Sequence, residues 1–268
     1  MKFSLVLVAK NEEKNAKQFF DALARQTRKP DEVILVDASD DNTAEIAKPF
    51  VSQVIPVKDT KGYFSAGYQR NIGVRAASGD VVVFTDLDAE PHPEWFTRLT
   101  KMFERPEVQA AVGNITVNNK WGSERGMFAD GLKEKSTYAH NCNSAYRRGL
   151  LLREPLEEHL YLEDVEYGYR LSLLGIPVYG CPKAKVWHFG PLQKADASLW
   201  FMCLRGARAY VRIFLKSPGP SWLARIAYNV FYPLTWLRVR HFLYFFAAIW
   251  YALYLELFTV RRTAAGKR

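Results

Sequence analysis

The sequence predicts an α/β protein in which a mainly parallel sheet is flanked by helices and followed by a C-terminal helical appendage. Three observations support this prediction. Apolar β-type runs alternate with helical patterns in the first half of the chain, the strongest run (81–85) ends in Asp86-Leu87-Asp88, and residues from Trp200 onward are basic and aromatic. Alternating elements of this length imply right-handed crossovers and parallel strands covered by helices.

Hydrophobic periodicity predicts the elements in order. Strands are expected at 4–9 and 32–36, and between them Phe19, Phe20 and Leu23 share one side of a helix. The alternation continues with a helix at 43–50, a strand at 53–57, a helix at 65–77, the strand at 81–85, a helix at 95–103 and a strand at 108–117. Residues 118–138 lack periodicity, which indicates a loop.

The later elements are predicted to be shorter. A strand is expected at 143–148, a helix at 163–174 that ends at Gly175, and two short edge strands at 177–179 and 185–187. We place the domain boundary at 195, so that residues 1–195 form the α/β domain and residues 196–268 form a helical tail.

Length and cysteine content limit the class of protein. A chain of 268 residues can bury a full core without disulfides. The three cysteines are Cys142, Cys181 and Cys203. Because they are widely spaced and form no C-x-x-C motif, they argue against a zinc site and a disulfide framework and fit a reducing, cytoplasmic setting. The apolar N-terminal run is followed at once by Asn11-Glu12-Glu13, which leaves no room for a signal peptide.

The most informative motif is Asp86-Leu87-Asp88. Its carboxylates follow a run typical of a buried strand, so they are expected at the carboxyl edge of the sheet, where open α/β sheets bind ligands. A divalent cation bound there would hold a diphosphate. The alternative is that both residues cap a helix introduced by Pro91 and Pro93.

Two further motifs lie upstream. Asp37 ends the second predicted strand, where a carboxylate can accept hydrogen bonds from a nucleotide base or simply cap the next helix. Arg70, in Arg70-Asn71-Ile72-Gly73, can pair with a phosphate or a neighbouring carboxylate, or form a surface ion pair. Gly73 is assigned to packing. Neither early strand is followed by G-x-G-x-x-G, so dinucleotide binding lacks its main signature.

Two motifs lie downstream. Glu163, Asp164 and Glu166 open a predicted helix, where a carboxylate can take a proton from a hydroxyl group while the helix dipole keeps it ionised. Spacing does not choose among the three, and helix-start electrostatics is the alternative. His188 follows a short strand, and an imidazole with carboxylates makes a site acceptable to Mn²⁺ and less usual for Mg²⁺. A structural role for His188 is the alternative.

Over about residues 1–190 the chain resembles glycosyltransferase family 2, which has the GT-A fold. The resemblance rests on an ordered set of motifs: Asp37-Ala38-Ser39-Asp40, Arg70-Asn71-Ile72-Gly73, Gly79-Asp80, Asp86-Leu87-Asp88, Glu163-Asp164 with Arg170, and His188. It implies a GT-A Rossmann-like sheet and an inverting transferase that uses a nucleotide-activated sugar, with UDP as the expected nucleotide and Mn²⁺ or Mg²⁺ as cofactor.

The resemblance also implies residue roles. Asp37 would contact the base, Asp86 the ribose or the sugar side, and Asp164 would be the general base, while Asp88 and His188 would hold the metal. We assign further donor contacts to Ala9, Glu12 and Arg70, and the acceptor side or support of the base to Glu163 and Arg170. In this chain residues 153–160 replace a Gly-Gly-Phe-Asp-like acceptor segment, and the Gln-x-x-Arg-Trp motif of processive synthases is absent, which favours a single transfer.

The tail predicts contact with a membrane surface. From Trp200 onward the chain has eleven basic residues and one acidic residue, Glu256. Residues 242–260 form an apolar, aromatic run that approaches the ~20 residues of a spanning helix. Basic clusters flank the run on both sides, which suits a single span poorly, so we predict interfacial helices on anionic lipid. The alternative is a helical pair packed on the domain or on a second subunit.

Together these features predict a glycosyltransferase at the cytoplasmic face of a membrane. It would move one sugar to a lipid-linked or membrane-proximal glycan acceptor in envelope or cell-surface glycan synthesis. The alternative is a non-catalytic nucleotide-sugar-binding protein or a membrane scaffold. A nucleic-acid partner is not expected, because the apolar character of the tail is continuous rather than interspersed with basic residues.

Overall fold

The computed structural model describes residues 1–58, 66–116, 120, 135–136, 140–158 and 163–188. These residues belong to one compact unit that spans 1–159 and 163–190. The predicted boundary at 195 and the predicted tail lie outside the described residues, so the domain division stays a prediction. Among the residues described, no helix combines the length and the apolar character needed to cross a membrane.

The described chain forms a sheet with helices on both faces. The strands are β1 (Phe3–Ala9), β2 (Glu32–Asp37), β3 (Gln53–Pro56), β4 (Val81–Asp86), β5 (Ala89–Pro91), β6 (Ala110–Thr116), β7 (Lys135–Ser136), β8 (Asn143–Arg147) and β9 (Val178–His188). The helices are α1 (Glu13–Ala24), α2 (Thr43–Ala47), α3 (Ala66–Ala76), α4 (Trp95–Lys101), α5 (Arg148–Arg153) and α6 (Glu163–Leu173). Short 3₁₀ turns extend α2 to Phe50 and α4 to Glu104.

The sheet has the order β3-β2-β1-β4-β8-β6-β9-β5, and β7 also pairs with β9. The first four strands pair in parallel, as do β6 and β9. Strand β8 lies antiparallel between β4 and β6, and β5 and β7 run antiparallel to β9. Six of the nine described strands therefore share one direction.

The prediction of a mainly parallel sheet is confirmed for these six strands and is wrong for β5, β7 and β8, which make the sheet as a whole mixed. A parallel neighbour needs a crossover to the opposite edge. Strand β6 ends at the carboxyl edge, and the next strand in the sheet, β8, begins at that same edge. It therefore runs back between β4 and β6. The predicted loop at 118–138 lies largely outside the described residues, but Lys135–Ser136 within it form a short strand.

Strand β9 corrects a second prediction, that of two short edge strands. It is one strand of 11 residues, lying between β6 and β5. Its register against β6 shifts so that Gly113 faces Cys181 while Asn114 faces Lys185. Pro182 falls in the unpaired bulge between them, where its missing N–H costs no ladder hydrogen bond.

Both faces of the sheet are buried, which explains the continuous apolar runs. In β1, Leu5 and Leu7 pack with α1 and α4, where Phe19 and Trp95 are fully buried. The alternate residues Val6 and Val8 pack on the other face with α3 and α6, together with buried side chains such as Val74 and Tyr167. Packing on both faces fixes the position of each strand in the sheet. The carboxyl ends of the parallel strands, which carry the polar residues, therefore lie along one edge.

Candidate active site

Three predicted carboxylates gather at the carboxyl edge of the parallel strands. Asp37 and Asp86 are the last residues of β2 and β4, two strands that flank β1, and Asp88 lies in the turn between β4 and β5. The capping alternative for Asp86 and Asp88 is wrong, because β5 intervenes and α4 begins only at Trp95, after Glu94. The carboxylates are thus available to a ligand above the sheet.

Asp37 is 7% exposed and sits in a turn made by its own neighbours. The backbone N–H and the hydroxyl of Ser39 donate to Asp37 Oδ1 at 3.3 and 2.6 Å. Asp37 does not cap helix α2. The N–H of Thr43, the first residue of that helix, donates instead to Asp41 Oδ1 at 3.0 Å. Burial raises the pKa of the Asp37 carboxyl above its ordinary value, although the Ser39 hydrogen bonds oppose the change.

The loops after β1 and β2 are joined by Asn11, which the sequence analysis did not select. Asn11 has a φ of 59°, a left-handed conformation that asparagine tolerates better than most residues. Its N–H donates to Ser39 Oγ at 2.8 Å, and its Oδ1 accepts the N–H of Asp40 at 2.9 Å. It therefore braces the loop that carries Asp37.

The centre of the site is Arg70, which is 5% exposed and lies in α3. Its Nη2 donates to Asp86 Oδ1 at 2.9 Å, and its Nη1 donates to Glu163 Oε1. Burial alone would lower the pKa of the guanidinium, but Asp86, Glu163 and Asp164 outweigh it and raise that pKa. Arg70 thus connects the β4 side of the site to the start of α6, and its burial contradicts the surface ion-pair alternative.

Glu163 and Asp164 begin α6 and occupy different environments. Glu163 is 8% exposed and also accepts a hydrogen bond from Asn141 Nδ2 at 3.4 Å. Burial raises the pKa of Glu163 to about 7, with Arg70 opposing the change and Asp164 adding to it. The Asp164 side chain is 23% exposed, and its Oδ2 lies 3.7 Å from His140 Nδ1. Of the two carboxylates, Asp164 is the more exposed.

Asp88 and His188 are brought together from distant parts of the chain. The Asp88 Oδ1 lies 3.3 Å from His188 Nε2, and the two side chains are 22% and 15% exposed. Burial and the neighbouring Asp86 raise the pKa of Asp88 to about 7, while His188 lowers it. Such a carboxyl becomes fully ionised most easily beside an added cation.

Cys142 is a further member of the site that the sequence analysis missed. One ligand atom from each of Asp86, Cys142 and His188 lies within 4.8 Å of the other two. Burial, followed by Asp86 and Asp88, raises the pKa of the Cys142 thiol well above its ordinary value. No spacing rule marks this cysteine, because only sheet pairing places the residue before β8 beside the ends of β4 and β9.

The residues present fit a divalent cation. Two carboxylates, an imidazole and a thiol converge, and His188 Nδ1 is buried without a hydrogen-bond partner in the described part of the chain. Carboxylate and imidazole ligands are compatible with Mn²⁺, as the sequence predicted for Asp88 and His188. Asp86 belongs to the same cluster, and this adds a candidate ligand to that prediction.

The structure places the remaining predicted residues as follows. Ala9 ends β1 beside Asp37, and its carbonyl accepts the N–H of Ala38 at 3.0 Å. The Glu12 carboxylate accepts a hydrogen bond from Asn15 at 2.7 Å and interacts electrostatically with Asp88.

Arg170, which was assigned to the acceptor side or to support of the base, is not brought to Glu163 or Asp164. It pairs with Glu166 at 3.0 Å and Glu154 at 3.2 Å, and so ties α6 to the segment after α5.

A family profile described as Glycosyl transferase family 2 matches residues 4–152. The match covers more than half of the chain, and the chain belongs to this family of glycosyltransferases. The matched span contains Asp37, Arg70, Asp86, Asp88 and Cys142. Asp164 and His188 lie beyond it, so their inclusion in the site comes from the fold.

Curated relatives are bacterial and archaeal glycosyltransferases. The chain is 29% identical over 120 residues to glycosyltransferase AglE of Haloferax volcanii, over 42% of this chain and 38% of that protein. It is 26% identical over 202 residues to the amylovoran biosynthesis glycosyltransferase AmsE of Erwinia amylovora, over 67% and 73% of the two chains. It is 27% identical over 259 residues to the O-antigen chain rhamnosyltransferase WbaN of Salmonella anatum, over 80% and 81%.

Solved structures share the fold at low identity. S. aureus TarS 1–349 in complex with UDP-GlcNAc gives a TM-score of 0.68 at 18% identity, over 92% of this chain and 79% of that one. The mannosyltransferase PcManGT from Pyrobaculum calidifontis, in complex with GDP-Man and Mn²⁺, gives 0.61 at 16% identity, over 96% and 87%. The described sheet and helices therefore have the Rossmann-like GT-A architecture that the sequence predicted.

Proposed function

We propose that this glycosyltransferase is an inverting enzyme that moves one sugar from a nucleotide-sugar donor, with UDP as the expected nucleotide, to a lipid-linked or membrane-proximal glycan acceptor. One observation carries the proposal. Arg70 bonds Asp86 on the donor side and Glu163, the neighbour of Asp164, on the other side. This network supports the proposal because Arg70 links a residue assigned to the donor with the start of α6, which carries the residue assigned as the base.

The roles follow from the environments of the side chains. Asp37, at the end of β2, would accept hydrogen bonds from the base, and Asp86 would accept them from the ribose or the sugar. Asp164 would accept the proton of the acceptor hydroxyl, because it is the more exposed carboxylate at the α6 start and the helix dipole favours its ionised form. Attack from the face opposite the leaving group then inverts the anomeric centre.

A cation held by Asp86, Asp88 and His188 would supply positive charge beside the leaving diphosphate. PcManGT is described with Mn²⁺, which supports a divalent ion here without deciding between Mn²⁺ and Mg²⁺. Arg70 would keep Asp86 oriented, and the 3.3 Å contact between Asp88 Oδ1 and His188 Nε2 would hold these two side chains together at the position of the ion.

The acceptor proposal rests on the relatives and on the tail. Amylovoran and O-antigen synthesis, in the descriptions of AmsE and WbaN, support an envelope or cell-surface glycan. The basic, aromatic residues from Trp200 onward support attachment to the cytoplasmic surface of a membrane, close to a lipid-linked acceptor.

The test combines donor binding with product release for the Asp164→Asn variant. Thermal-shift screening of nucleotide sugars with Mn²⁺ first identifies the donor, since a ligand that binds only the folded state raises the melting temperature. We expect D164N to bind that donor like the parent protein but to release nucleoside diphosphate at least about 10²-fold more slowly with a membrane extract as acceptor source.

Asp80→Asn is the matched control, because Asp80 precedes β4 at the opposite edge of the sheet, and among the bonds described its carboxylate accepts only the exposed backbone N–H of Lys2. Its turnover should equal that of the parent. Undiminished turnover in D164N would refute the base assignment. Donor binding without diphosphate release from any membrane extract would favour the non-catalytic nucleotide-sugar-binding protein.

A further inference from the structure

Cys142 contributes a sulfur ligand atom to the proposed cation site. It lies in the turn before β8, while Asp86 ends β4 and His188 ends β9. These three positions belong to one sheet, so the hydrogen-bonded ladder sets their separation. The ligand atoms lie within 4.8 Å of one another, which is close enough for all three to reach one ion.

The set of donor atoms differs from the oxygen and nitrogen ligands that hard cations prefer. A carboxylate, an imidazole and a thiolate together favour Zn²⁺ and similar thiophilic ions over Mn²⁺ and Mg²⁺. Zinc bonds of about 2.0–2.3 Å place tetrahedral ligand atoms roughly 3.5 Å apart. Ligand atoms within 4.8 Å of one another therefore have to approach by at most about 1.3 Å. Three protein ligands also leave one coordination position open.

We propose that Asp86, Cys142 and His188 form a thiolate-containing site that binds Zn²⁺ and Co²⁺ more tightly than Mn²⁺. Binding breaks the S–H bond of Cys142 and forms a sulfur–metal bond, and the proton passes to the buffer without any redox change. The site shares Asp86 and His188 with the cation site of the proposed function. Zinc is therefore expected to compete with Mn²⁺ and to inhibit sugar transfer.

The environment of His188 supports this site beyond the clustering itself. The Nδ1 of His188 is buried and lacks a hydrogen-bond partner among the residues described. Cys181, by contrast, lies with its sulfur 3.5 Å from the backbone carbonyl of Arg98, and so provides a matched cysteine outside the site.

The first test is a Co²⁺ titration of the purified full chain, followed by near-ultraviolet absorption. A sulfur-to-cobalt charge-transfer band should appear in the parent protein and in Cys181→Ser and Cys203→Ser, and should be absent from Cys142→Ser. Cobalt that binds the parent without this band would overturn the proposal, and so would a band of unchanged intensity in C142S. If C142S fails to fold, Cys142→Ala gives the same readout.

The second test is the competition of Zn²⁺ with a chromophoric chelator, with no sugar donor present. We expect C142S to weaken Zn²⁺ binding by about 10-fold or more, with Mn²⁺ affinity changing by much less. Equal losses for the two ions, or unchanged Zn²⁺ affinity, would show that the sulfur is not a ligand. Because neither test uses turnover, this inference can fail while the D164N result stands, and the reverse also holds.

Discussion

Arg70 shows how a single residue organises this site. Its guanidinium is buried between Asp86 and Glu163, and burying charges is costly unless every one is paired. The planar guanidinium of arginine donates hydrogen bonds to two carboxylates through different nitrogens, whereas a lysine ammonium has a single nitrogen. Arg70 therefore acts as a brace for the residues expected to bind the donor and to activate the acceptor.

We expect Arg70→Met to lower the free energy of unfolding by about 3–5 kcal/mol, because the buried Glu163 and the half-buried Asp86 lose their shared partner. Arg70→Lys should lose less, since the positive charge remains. Urea unfolding at neutral pH measures both. Arg105→Met is the control: its side chain pairs with Glu107 at the surface, where 45% and 52% of the two side chains are exposed, and little change is expected. An equal loss in R70M and R105M would contradict the bracing role.

At the scale of elements, helix α3 lies unusually close to the sheet. A Cβ added at Gly73 would overlap Val6 Cγ1 of β1, which confirms the packing role assigned to this glycine. Two residues earlier, the Asn71 side chain donates to the Leu156 carbonyl at 2.8 Å and accepts the Leu156 N–H at 3.0 Å. These two contacts fix helix α3, and with it Arg70, the residue directly before Asn71.

Gly73→Ala should lower the free energy of unfolding by about 1–3 kcal/mol, because the extra methyl forces α3 away from β1. The double variant Val6→Ala/Gly73→Ala should recover part of this loss, as expected for residues in contact. Gly149→Ala in α5 is the control. Its Cβ would meet only Arg153 Nη1, at 3.4 Å, and the helical propensity of alanine should leave the protein as stable as the parent or about 1 kcal/mol more stable. Equal losses at positions 73 and 149 would refute the close-approach explanation.

Strand β9 shows what periodicity does not reveal about an element. The Asn143 amide donates to the carbonyls of Asn114 and Ala184 at 2.9 Å each, and its oxygen accepts from Trp95 Nε1 at 2.8 Å. These bonds hold the bulge that lets β9 run past Pro182 and carry His188 to the carboxyl edge. In the sequence, β9 looks like two apolar fragments separated by a proline. The hydrogen bonds that make it one strand come from distant segments, so local periodicity does not reveal them.

At the scale of the whole molecule, the fold buries carboxyl groups at a cost in stability. The pKa of Glu163 is raised to about 7, so between about pH 4.5 and 7 the folded state binds more protons than the unfolded chain. The free energy of unfolding contributed by Glu163 must then fall as the pH rises through this window and level off above it. The site is expected to work at neutral pH, but Glu163 contributes most to the stability of the fold at lower pH.

We expect the stability of the parent relative to Glu163→Gln to decrease from about pH 5 to about pH 7, by at most about 1.4 kcal/mol per pH unit. Urea unfolding at both pH values measures the difference. Glu32→Gln is the control, because hydrogen bonds from Ser4 and Ser78 outweigh burial and lower the pKa of Glu32, which moves its transition below this range. The parent should keep a constant advantage over E32Q, and an advantage over E163Q that grows with pH would contradict the raised pKa.

Much of the site was predictable from local pattern. Apolar runs located the ends of β2 and β4, and with them Asp37, Asp86 and Asp88, because a strand buried on both faces is recognisable in sequence. The acidic start of α6 and its end at Gly175, with a φ of 69°, were also predicted and are confirmed. The roles assigned to these residues stay predictions, and so does the membrane-associated tail.

The sequence by itself determined that this is an α/β glycosyltransferase whose carboxylates emerge at one edge of a sheet, because strand length, alternation of elements and motif order are local properties of the chain. Only the tertiary structure decided that Arg70 bridges Asp86 and Glu163, that Arg170 serves α6 instead, and that Cys142 joins Asp86 and His188. The physical reason is that these contacts depend on strand order and register, and above all on β8 returning antiparallel between β4 and β6. Hydrogen bonds between distant segments set that register, and no spacing along the chain records them.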